Sequence, residues 1–336
     1  MNYRLKINKN WVRLNTEKYP ILHNLFYWSD GLNFEETEKE EQRPDKHILG
    51  DANIQPVVLQ ENMDWSEFWP EDERQSGSIE TMSCTLFNLF NPIEALAKRQ
   101  FGEVWNKSEH FNAGMIKMTR NGYTLSGAID SVRKKHGMVD ESIYPNDIDN
   151  MTWAKWIRTP EYETVQRGLY WLSKYDVFYK EIPNTRAGIL NGLTFSPVFF
   201  GGYAWFLKNG LYYSFSTPNH ACAIKKGIKD TGQLFAGDSY APFEKELAPD
   251  YKIYWPKIII LRKKEIEYNQ NEIDALRKRG LKFIIRALGS GEIYELTDTG
   301  LKYLTAEQAR DIGLRTLEEA GKFIGISEEL YNKLIV

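Results

Sequence analysis

The sequence predicts an α+β fold in which helices come first and a sheet second, followed by a small C-terminal module. Apolar residues recur at helical spacing from Cys84 to Ala97 and again from Leu125 to Lys135. Between residues 194 and 261, short segments rich in aromatic and β-branched residues alternate with turn residues. The 336 residues, of which 42% are hydrophobic and 26% charged, suffice for about two domains.

Charge and hydropathy exclude several classes of function. The chain has 43 Lys and Arg against 46 Asp and Glu, so its net charge of -3 predicts no attraction to nucleic acid or to an anionic membrane. No apolar stretch approaches the roughly 18 residues of a membrane span, and the charged N-terminus does not look like a signal peptide. We therefore expect a cytoplasmic or virion-associated protein with neither a nucleic-acid nor a membrane partner.

Three regions are predicted along the chain. Residues 1–50 form an N-terminal arm, and we interpret their charged run, residues 34–46, as an exposed loop because no apolar face interrupts it. Residues 51–265 form the main domain, in which Pro92 is expected to kink or locally break the helix that starts at Cys84. The strands expected in that domain are Thr194 to Phe200, Gly210 to Phe215, His220 to Ile224, Gln233 to Ala236 and Ile253 to Leu261.

Residues 266–336 are predicted to form a small strand and helix module after a polar connector. Its expected strands are Leu281 to Ala287, Glu292 to Leu296 and Leu301 to Leu304. Capping boxes at Thr305 and Thr316 then predict two helices. Two roles are open for this module: a docking unit for partners in an assembly, or a subdomain that caps the main domain.

The two cysteines, Cys84 and Cys222, are too few for a disulfide framework and have no paired metal-ligand spacing. We therefore expect no metal and no cofactor. Cys84 falls in the first turn of a predicted helix, where unsatisfied N–H groups favour the thiolate and so a nucleophile. A lone cysteine can also be a small core residue, and we expect that packing role for Cys222.

His220 and Asp238 are the candidate partners of a Cys84 nucleophile. His220 lies where a loop enters a predicted strand, and Asp238 lies at the end of the next strand. A carboxylate there can accept the imidazole Nδ1 hydrogen and stabilise the imidazolium. His220 follows Cys84 by 136 residues, within the range of about 130 to 150 residues that is typical of papain-type enzymes.

Over about residues 64 to 260 the chain resembles the papain-like cysteine peptidases. The stretches that carry this resemblance, in family order, are Asp64-Trp65, Gln75 ahead of Ser83-Cys84, KKHGMVDESIYP ending at Pro145, Ser196-Pro197-Val198, GLYYSFSTPNHACAI from Gly210 to Ile224, and Gly237-Asp238-Ser239-Tyr240. The resemblance is carried by the shared order of these stretches over nearly 200 residues.

The resemblance implies a two-lobe fold with Cys84 on a helical lobe and His220 and Asp238 on an antiparallel β lobe. It also implies that Gln75 donates its amide to an oxyanion, a role for which Glu80 is less suited because a carboxylate has no hydrogen to donate. Aromatic side chains are expected to line a substrate groove or to pack in the core. Those named for the groove are Tyr123, Phe199, Tyr203, Trp205 and Tyr240, with Tyr123 and Tyr240 as the candidate substrate-binding residues.

Several departures from the family pattern leave the function open. Thr85 replaces an aromatic residue, Asp238 an asparagine and Tyr240 a tryptophan. Pro92 in the predicted helix and the absence of the family's disulfides suggest a distant, intracellular or phage-encoded branch. The leading hypothesis is a peptidase or amidase that cuts an amide bond in a protein or in peptidoglycan. The alternative is a catalytically silent scaffold in a phage particle or another assembly. A transglutaminase-like acyl transferase ranks lower because its cysteine and histidine are usually closer in sequence.

Overall fold

The computed structural model describes residues 31–42, 54–214 and 216–264. It also describes the backbone of six strands, at 2–7, 10–15, 283–286, 293–297, 300–304 and 323–326. The chain divides into two compact units. The larger comprises residues 1–160 and 176–262, and the smaller comprises residues 161–175 and 263–336.

Six of the described helices lie in the larger unit, and one, α6 (Tyr162–Lys174), lies in the smaller unit. They are α1 (Phe34–Glu41), α2 (Cys84–Phe101), α3 (Glu109–Ile116), α4 (Leu125–Asp130), α5 (Trp153–Trp156), α6 (Tyr162–Lys174) and α7 (Arg186–Leu193), with a π-helical turn at Ser131–His136 and a 3-10 turn at Ile148–Asn150. The strands are β1 (Asn2–Ile7), β2 (Asn10–Asn15), β3 (Tyr175–Glu181), β4 (Val198–Gly202), β5 (Phe206–Lys208), β6 (Leu211–Tyr213), β7 (His220–Ile228), β8 (Gln233–Gly237), β9 (Glu244–Leu247), β10 (Tyr254–Lys263), β11 (Phe283–Arg286), β12 (Ile293–Thr297), β13 (Gly300–Leu304) and β14 (Phe323–Ile326).

An eight-stranded sheet organises the larger unit, in the order β3-β10-β4-β7-β8-β9-β6-β5. The pairings that join β10, β4, β7, β8 and β9 are antiparallel, whereas β6 runs parallel to β9. Helix α2 packs on β7 and β4, and its side chains from Cys84 to Phe90 are all buried. This packing places the first turn of α2 beside the first residues of β7.

The predicted α+β class is confirmed, and most of the predicted elements are present. The helix expected from Cys84 runs without a break to Phe101 with Pro92 inside it, so the expected local break is wrong. Burial of this helix on nearly every side offsets the hydrogen bond that a proline lacks. The helix expected from Leu125 is α4, and its continuation to His136 is π-helical.

The interpretation of residues 34–46 as a loop is wrong for the part that the structure describes. Residues Phe34–Glu41 form α1, and the Asn33 side chain caps it by accepting the Glu36 N–H at 3.2 Å. Glu35 and Glu36 lie in its first turn, where carboxylates interact favourably with the helix dipole. The cap and the charge placement therefore compensate for the missing apolar face.

The smaller unit contains a four-stranded sheet in the order β13-β12-β11-β14, with β11 and β14 parallel. The first three of these strands match those predicted for the C-terminal module. The connector after Lys264 and both capping boxes lie outside the described residues. Within the part of the chain that the structure describes, no helix combines the length and the apolar character that crossing a membrane requires.

Candidate active site

Cys84 is the first residue of α2 and is fully buried. Its Sγ accepts a hydrogen bond from the backbone N–H of Ala221 at 3.3 Å. Ala221 directly follows His220 on β7, so this bond ties the thiol to the strand that carries the histidine. The preceding Ser83 is fixed as well, because its Oγ donates to the Thr81 carbonyl and accepts the Trp156 indole N–H. The sequence thus places a thiol at a rigid helix N-terminus.

His220 opens β7 and is fully buried. Its Nε2 lies 2.6 Å from Asp238 Oδ1, so the expectation that Nδ1 faces the carboxylate is wrong. The Cys222 thiol, two residues further along β7, also forms a hydrogen bond with the His220 side chain. Burial by itself lowers the pKa of His220, but Cys222, Asp238 and Cys84 raise it, and the net pKa lies well above its usual value.

Asp238 follows the end of β8, and its buried carboxylate accepts four hydrogen bonds. Oδ1 accepts from His220 and from the Ser239 N–H at 2.7 Å. Oδ2 accepts from the Trp205 indole N–H at 2.7 Å and from Lys245 Nζ at 2.7 Å. Burial alone raises the pKa of Asp238, but Lys245 and His220 more than offset this, and the pKa lies below its usual range. Asp238 is therefore an ionised acceptor that orients the imidazole.

Gln75 is buried beside Ser239 and Tyr240 and is fully engaged in a polar network. Its Nε2 donates to Glu80 Oε1 and to the Tyr240 hydroxyl, both at 2.8 Å. The Tyr240 hydroxyl donates in turn to Glu80 Oε2 at 2.6 Å, and Ser239 Oγ donates to Gln75 Oε1 at 2.6 Å. An amide has only two hydrogens, so both are committed here. As an oxyanion donor Gln75 stays a prediction.

Tyr240 stands beside the imidazole, with its ring centroid 5.5 Å from that of His220. Trp205 approaches the same imidazole edge-on at 5.8 Å. Both side chains are nearly excluded from solvent, as Phe199 is, while Tyr203 is partly exposed. Tyr240 and Trp205 thus enclose the histidine rather than line an open groove.

The chain's own N-terminal segment, residues 31–33, lies across the site. The Gly31 carbonyl accepts the Tyr123 N–H at 3.0 Å, and the Asn33 N–H donates to the Tyr123 carbonyl at 3.1 Å. On the other side, the Leu32 N–H donates to the Asn219 carbonyl at 3.3 Å. Tyr123, one of the predicted substrate-binding residues, is therefore paired through its backbone with this segment.

Helix α1 holds residues 31–33 in place from their C-terminal side. The Ser126 hydroxyl donates to the Glu40 carboxylate, and the Phe34 ring lies 5.6 Å from the Trp255 ring. The Leu32 side chain is buried, and its Cδ2 lies against the Gly201 backbone of β4. Backbone pairing, an apolar side chain and a polar anchor together fasten the segment over the thiol.

Among the described residues, three potential metal-ligand atoms lie within 4.8 Å of one another, one each from His220, Cys222 and Asp238. This set does not fit a cation, because both Asp238 oxygens already accept hydrogen bonds and one of them pairs with the Lys245 ammonium. Burial raises the pKa of Cys222 to about 12, so this thiol stays protonated at neutral pH. The arrangement is instead that of a hydrogen-bonded acid–base pair.

Two features of the site were missed in the sequence. The first is Lys245, which lies between two glutamates and so gave no sequence signal of burial; in the structure Lys245 and Leu247 share the buried face of β9 while Glu244 is exposed. The second is the segment at residues 31–33, which binds mainly through backbone groups that any sequence would offer.

Comparison with known proteins finds similarity in structure alone. No family model matches the chain, and no curated protein matches it. Among solved structures, it is similar to the Amb a 11 cysteine protease, a major ragweed pollen allergen, in its proform, in a crystal structure at 2.05 Å. The identity is 15% over 73% of this chain and 78% of that chain, with a TM-score of 0.49. A second crystal structure of that proform, at 2.70 Å, gives 17% identity over 65% and 69% of the two chains, with a TM-score of 0.45.

Proposed function

We propose that the chain is a cysteine peptidase or amidase that hydrolyses an amide bond with Cys84, His220 and Asp238. The observation that carries this proposal is the buried hydrogen bond of 2.6 Å between His220 and Asp238, beside a thiol bonded to the N–H of Ala221. A carboxylate that holds an imidazole next to a cysteine at a helix N-terminus is the arrangement that activates a thiol nucleophile.

The reaction would proceed in two steps that share one proton carrier. His220 takes the Cys84 proton, the thiolate attacks the carbonyl carbon, and the C–N bond breaks as His220 protonates the leaving amine. The product is a thioester on Cys84. His220 then removes a proton from water, the hydroxide attacks the thioester, and the acid leaves as the thiol is restored. Asp238 stays ionised and orients the imidazole throughout.

The negative oxygen of each tetrahedral intermediate needs preorganised donors. The Cys84 N–H lies at the start of α2, where backbone N–H groups have no partner within the helix. The Gln75 amide is the second donor in this proposal, and it must exchange one of its present partners, Glu80 or Tyr240, for the oxyanion. Such an exchange accompanies substrate binding.

The substrate proposed is an extended peptide, in a protein or in a peptidoglycan cross-link. Residues 31–33 support this, because their backbone shows that Tyr123 and Asn219 can hold an extended chain from both sides by hydrogen bonds. The same segment makes the structure a closed form of the proposed enzyme. Substrate enters only after the segment has moved away from Cys84.

A second candidate is a catalytically silent scaffold, acting as a structural or adaptor component of a phage particle or another assembly. The complete burial of the Cys84 thiol and the commitment of both Gln75 amide hydrogens favour it. The two candidates differ in whether Cys84 ever becomes accessible and reactive.

An assay of hydrolysis by the purified protein distinguishes the peptidase from the silent scaffold. Wild type, Cys84→Ala and Cys222→Ala are incubated with an unfolded protein such as casein and with peptidoglycan, and new amino termini are quantified. The proposal expects hydrolysis by wild type and Cys222→Ala but none by Cys84→Ala. In parallel, an epoxysuccinyl probe should modify Cys84 in preference to Cys222. If no hydrolysis and no thiol labelling occur even in Gly31→Ala, whose added methyl group must displace residues 31–33 from Cys84, the scaffold is favoured.

A further inference from the structure

Lys245 is a buried lysine at the centre of the candidate site. It lies on β9 opposite Ala236 of β8, and its side chain is only 2% exposed. An ammonium group has three hydrogens, and here each has an acceptor: Asp238 Oδ2 at 2.7 Å, the Tyr240 carbonyl at 2.7 Å and the Pro242 carbonyl at 2.6 Å. The site is therefore built to hold this side chain as a cation.

A buried ammonium is expensive unless a negative charge lies next to it. Asp238 supplies that charge, with a side chain that is 0% exposed. Neither group touches bulk water, so solvent does little to screen their interaction. Each charge thus depends on the other.

We propose that Lys245 is a positioning residue that neutralises Asp238, so that His220 faces an acceptor pair of no net charge. Papain-like peptidases, which this sequence resembles, carry a neutral asparagine where this chain has Asp238. An aspartate alone would add a full negative charge beside the imidazole and bind its proton more tightly. The Lys245 ammonium removes that excess while leaving Asp238 Oδ1 free to accept from His220.

Other titratable groups also face His220 and must be kept constant in any test. They are Cys84 from α2, Cys222 from β7, Glu80 from the loop before α2, the Tyr240 hydroxyl, and Tyr251, which interacts with Asp238 and Cys222. Of these, Glu80 and Cys84 act on His220 from outside the Asp238 and Lys245 pair, whereas Cys222 also interacts with both members of that pair. The titrations are therefore repeated with Cys222→Ala as the background, so that this thiol cannot contribute differently among the variants.

A charge cycle followed by NMR tests the proposal in the full chain. The pKa of His220 is measured from its imidazole Cε1–H signal in wild type, Lys245→Met, Asp238→Asn and the double variant. Lys245→Met leaves Asp238 uncompensated and should raise the pKa, whereas Asp238→Asn leaves Lys245 uncompensated and should lower it. Each shift should be about one unit or more, and the double variant should return to near the wild-type value.

A structural role for Lys245 predicts a different pattern. It would lower the melting temperature in Lys245→Met without opposite pKa shifts in the single variants and without their cancellation in the double variant, and that pattern overturns the proposal. Lys245→Arg retains the charge and should retain the His220 pKa. If Lys245→Met does not fold, Lys245→Gln makes the same charge change while keeping a donor for the Tyr240 carbonyl.

The effect of Lys245 on catalysis rests on the proposed function, whereas its effect on the His220 pKa does not. The titration is repeated with Cys84→Ala as the background, so it needs no turnover. Opposite shifts that cancel, in a protein whose Cys84 never reacts, would leave the charge compensation standing and remove the peptidase. A reactive Cys84 without such shifts would support the peptidase and overturn the charge compensation.

Discussion

Gly31 lies directly against the thiol of Cys84. A methyl group built on Gly31 would come within 2.7 Å of Cys84 Sγ and within 2.9 Å of the Met82 carbonyl oxygen. Only glycine fits between these atoms, so the backbone of residue 31 closes the space in front of the sulfur. The buried thiol is thus covered by the chain itself, in a contact that one methyl group should disrupt.

Gly31→Ala should expose Cys84. The added methyl group cannot be accommodated at 2.7 Å from the sulfur, so residues 31–33 must move, and we expect alkylation of Cys84 by iodoacetamide to accelerate about tenfold. Peptide mapping by mass spectrometry measures the rate, with Cys222 as the internal reference.

Gly102→Ala is the control for that variant, because a methyl group there meets nothing within 4 Å. Gly102 has a positive φ and ends the helix that Cys84 begins, so its substitution strains the backbone without filling the site. Equal alkylation rates of Cys84 in Gly31→Ala and Gly102→Ala would show that residues 31–33 do not control access.

Glu80 should be a stabilising residue of the site, although sequence reasoning set it aside as an oxyanion donor. It accepts the Gln75 amide, the Tyr240 hydroxyl and the Met82 N–H. Glu80→Ala leaves these donors without their charged acceptor, and we expect a loss of about 1–3 kcal/mol in the free energy of unfolding, measured in urea.

Glu80→Gln tests whether the charge or the shape of that side chain matters. Its amide oxygen can still accept one of the three hydrogen bonds, so the loss should be smaller than in Glu80→Ala. Tyr240→Phe removes a single hydroxyl and keeps the ring beside His220. If Glu80→Ala were no less stable than Tyr240→Phe, the network would not depend on the carboxylate.

A buried acidic cluster away from the site should make stability fall as pH rises. Burial and the Glu141 charge raise the pKa of Glu73 to about 7, and Asn146 Nδ2 donates to both Glu73 and Glu109. Burial also raises the pKa of Glu94 and Glu109 well above the usual value. The folded protein therefore holds these protons more tightly than the unfolded chain does.

The sign of the pH dependence of the unfolding free energy follows from that difference in proton binding. The stabilisation is fully present below the unfolded pKa, about 4.3, and for Glu73 it is lost as pH rises to about 7. Glu73→Gln should reduce the decline in stability from pH 5 to pH 8 by on the order of 2 kcal/mol. Glu61→Gln removes an exposed carboxylate that is not among the charges acting on Glu73, and it should leave the decline unchanged. Parallel pH profiles for Glu73→Gln and wild type would contradict the prediction.

The positions of Cys84, His220 and Asp238 in the fold could be predicted because each of these residues lies at a recognisable boundary. Apolar spacing marks the start of the helix at Cys84, and strand patterns mark the positions of His220 and Asp238. The sequence did not determine which imidazole nitrogen faces the carboxylate. That choice depends on how β7 and β8 are registered and on where Asp238 is held by Trp205.

Local sequence patterns could not predict which charged groups surround His220 and Asp238. Lys245 lies in a strand flanked by glutamates and would ordinarily be assigned to a solvated face, since lysine is rarely buried without a partner. Its partner, Asp238, follows the end of a different strand, β8, so only tertiary structure brings the two charges together. The same holds for Gln75, whose amide was assigned from family position while its actual partners come from Glu80 and Tyr240.

Helix α1 was mistaken for a loop because its stability does not come from an apolar face. Asn33 caps it, Lys39 pairs with Glu36, and Glu40 accepts a hydrogen bond from Ser126. Amphipathic periodicity is the signal that sequence reasoning relies on, and a helix held by caps and polar contacts lacks it. The closure of the site by the segment before α1 was missed for a related reason, since its bonds are backbone bonds.

The most direct measurement is the rate of Cys84 alkylation near neutral pH, in Gly31→Ala and in Gly31→Ala with His220→Ala. If His220 takes the proton of Cys84, loss of the imidazole should slow alkylation of Cys84 about tenfold or more. Equal rates in the two proteins, or faster modification of Cys222 than of Cys84, would contradict the account.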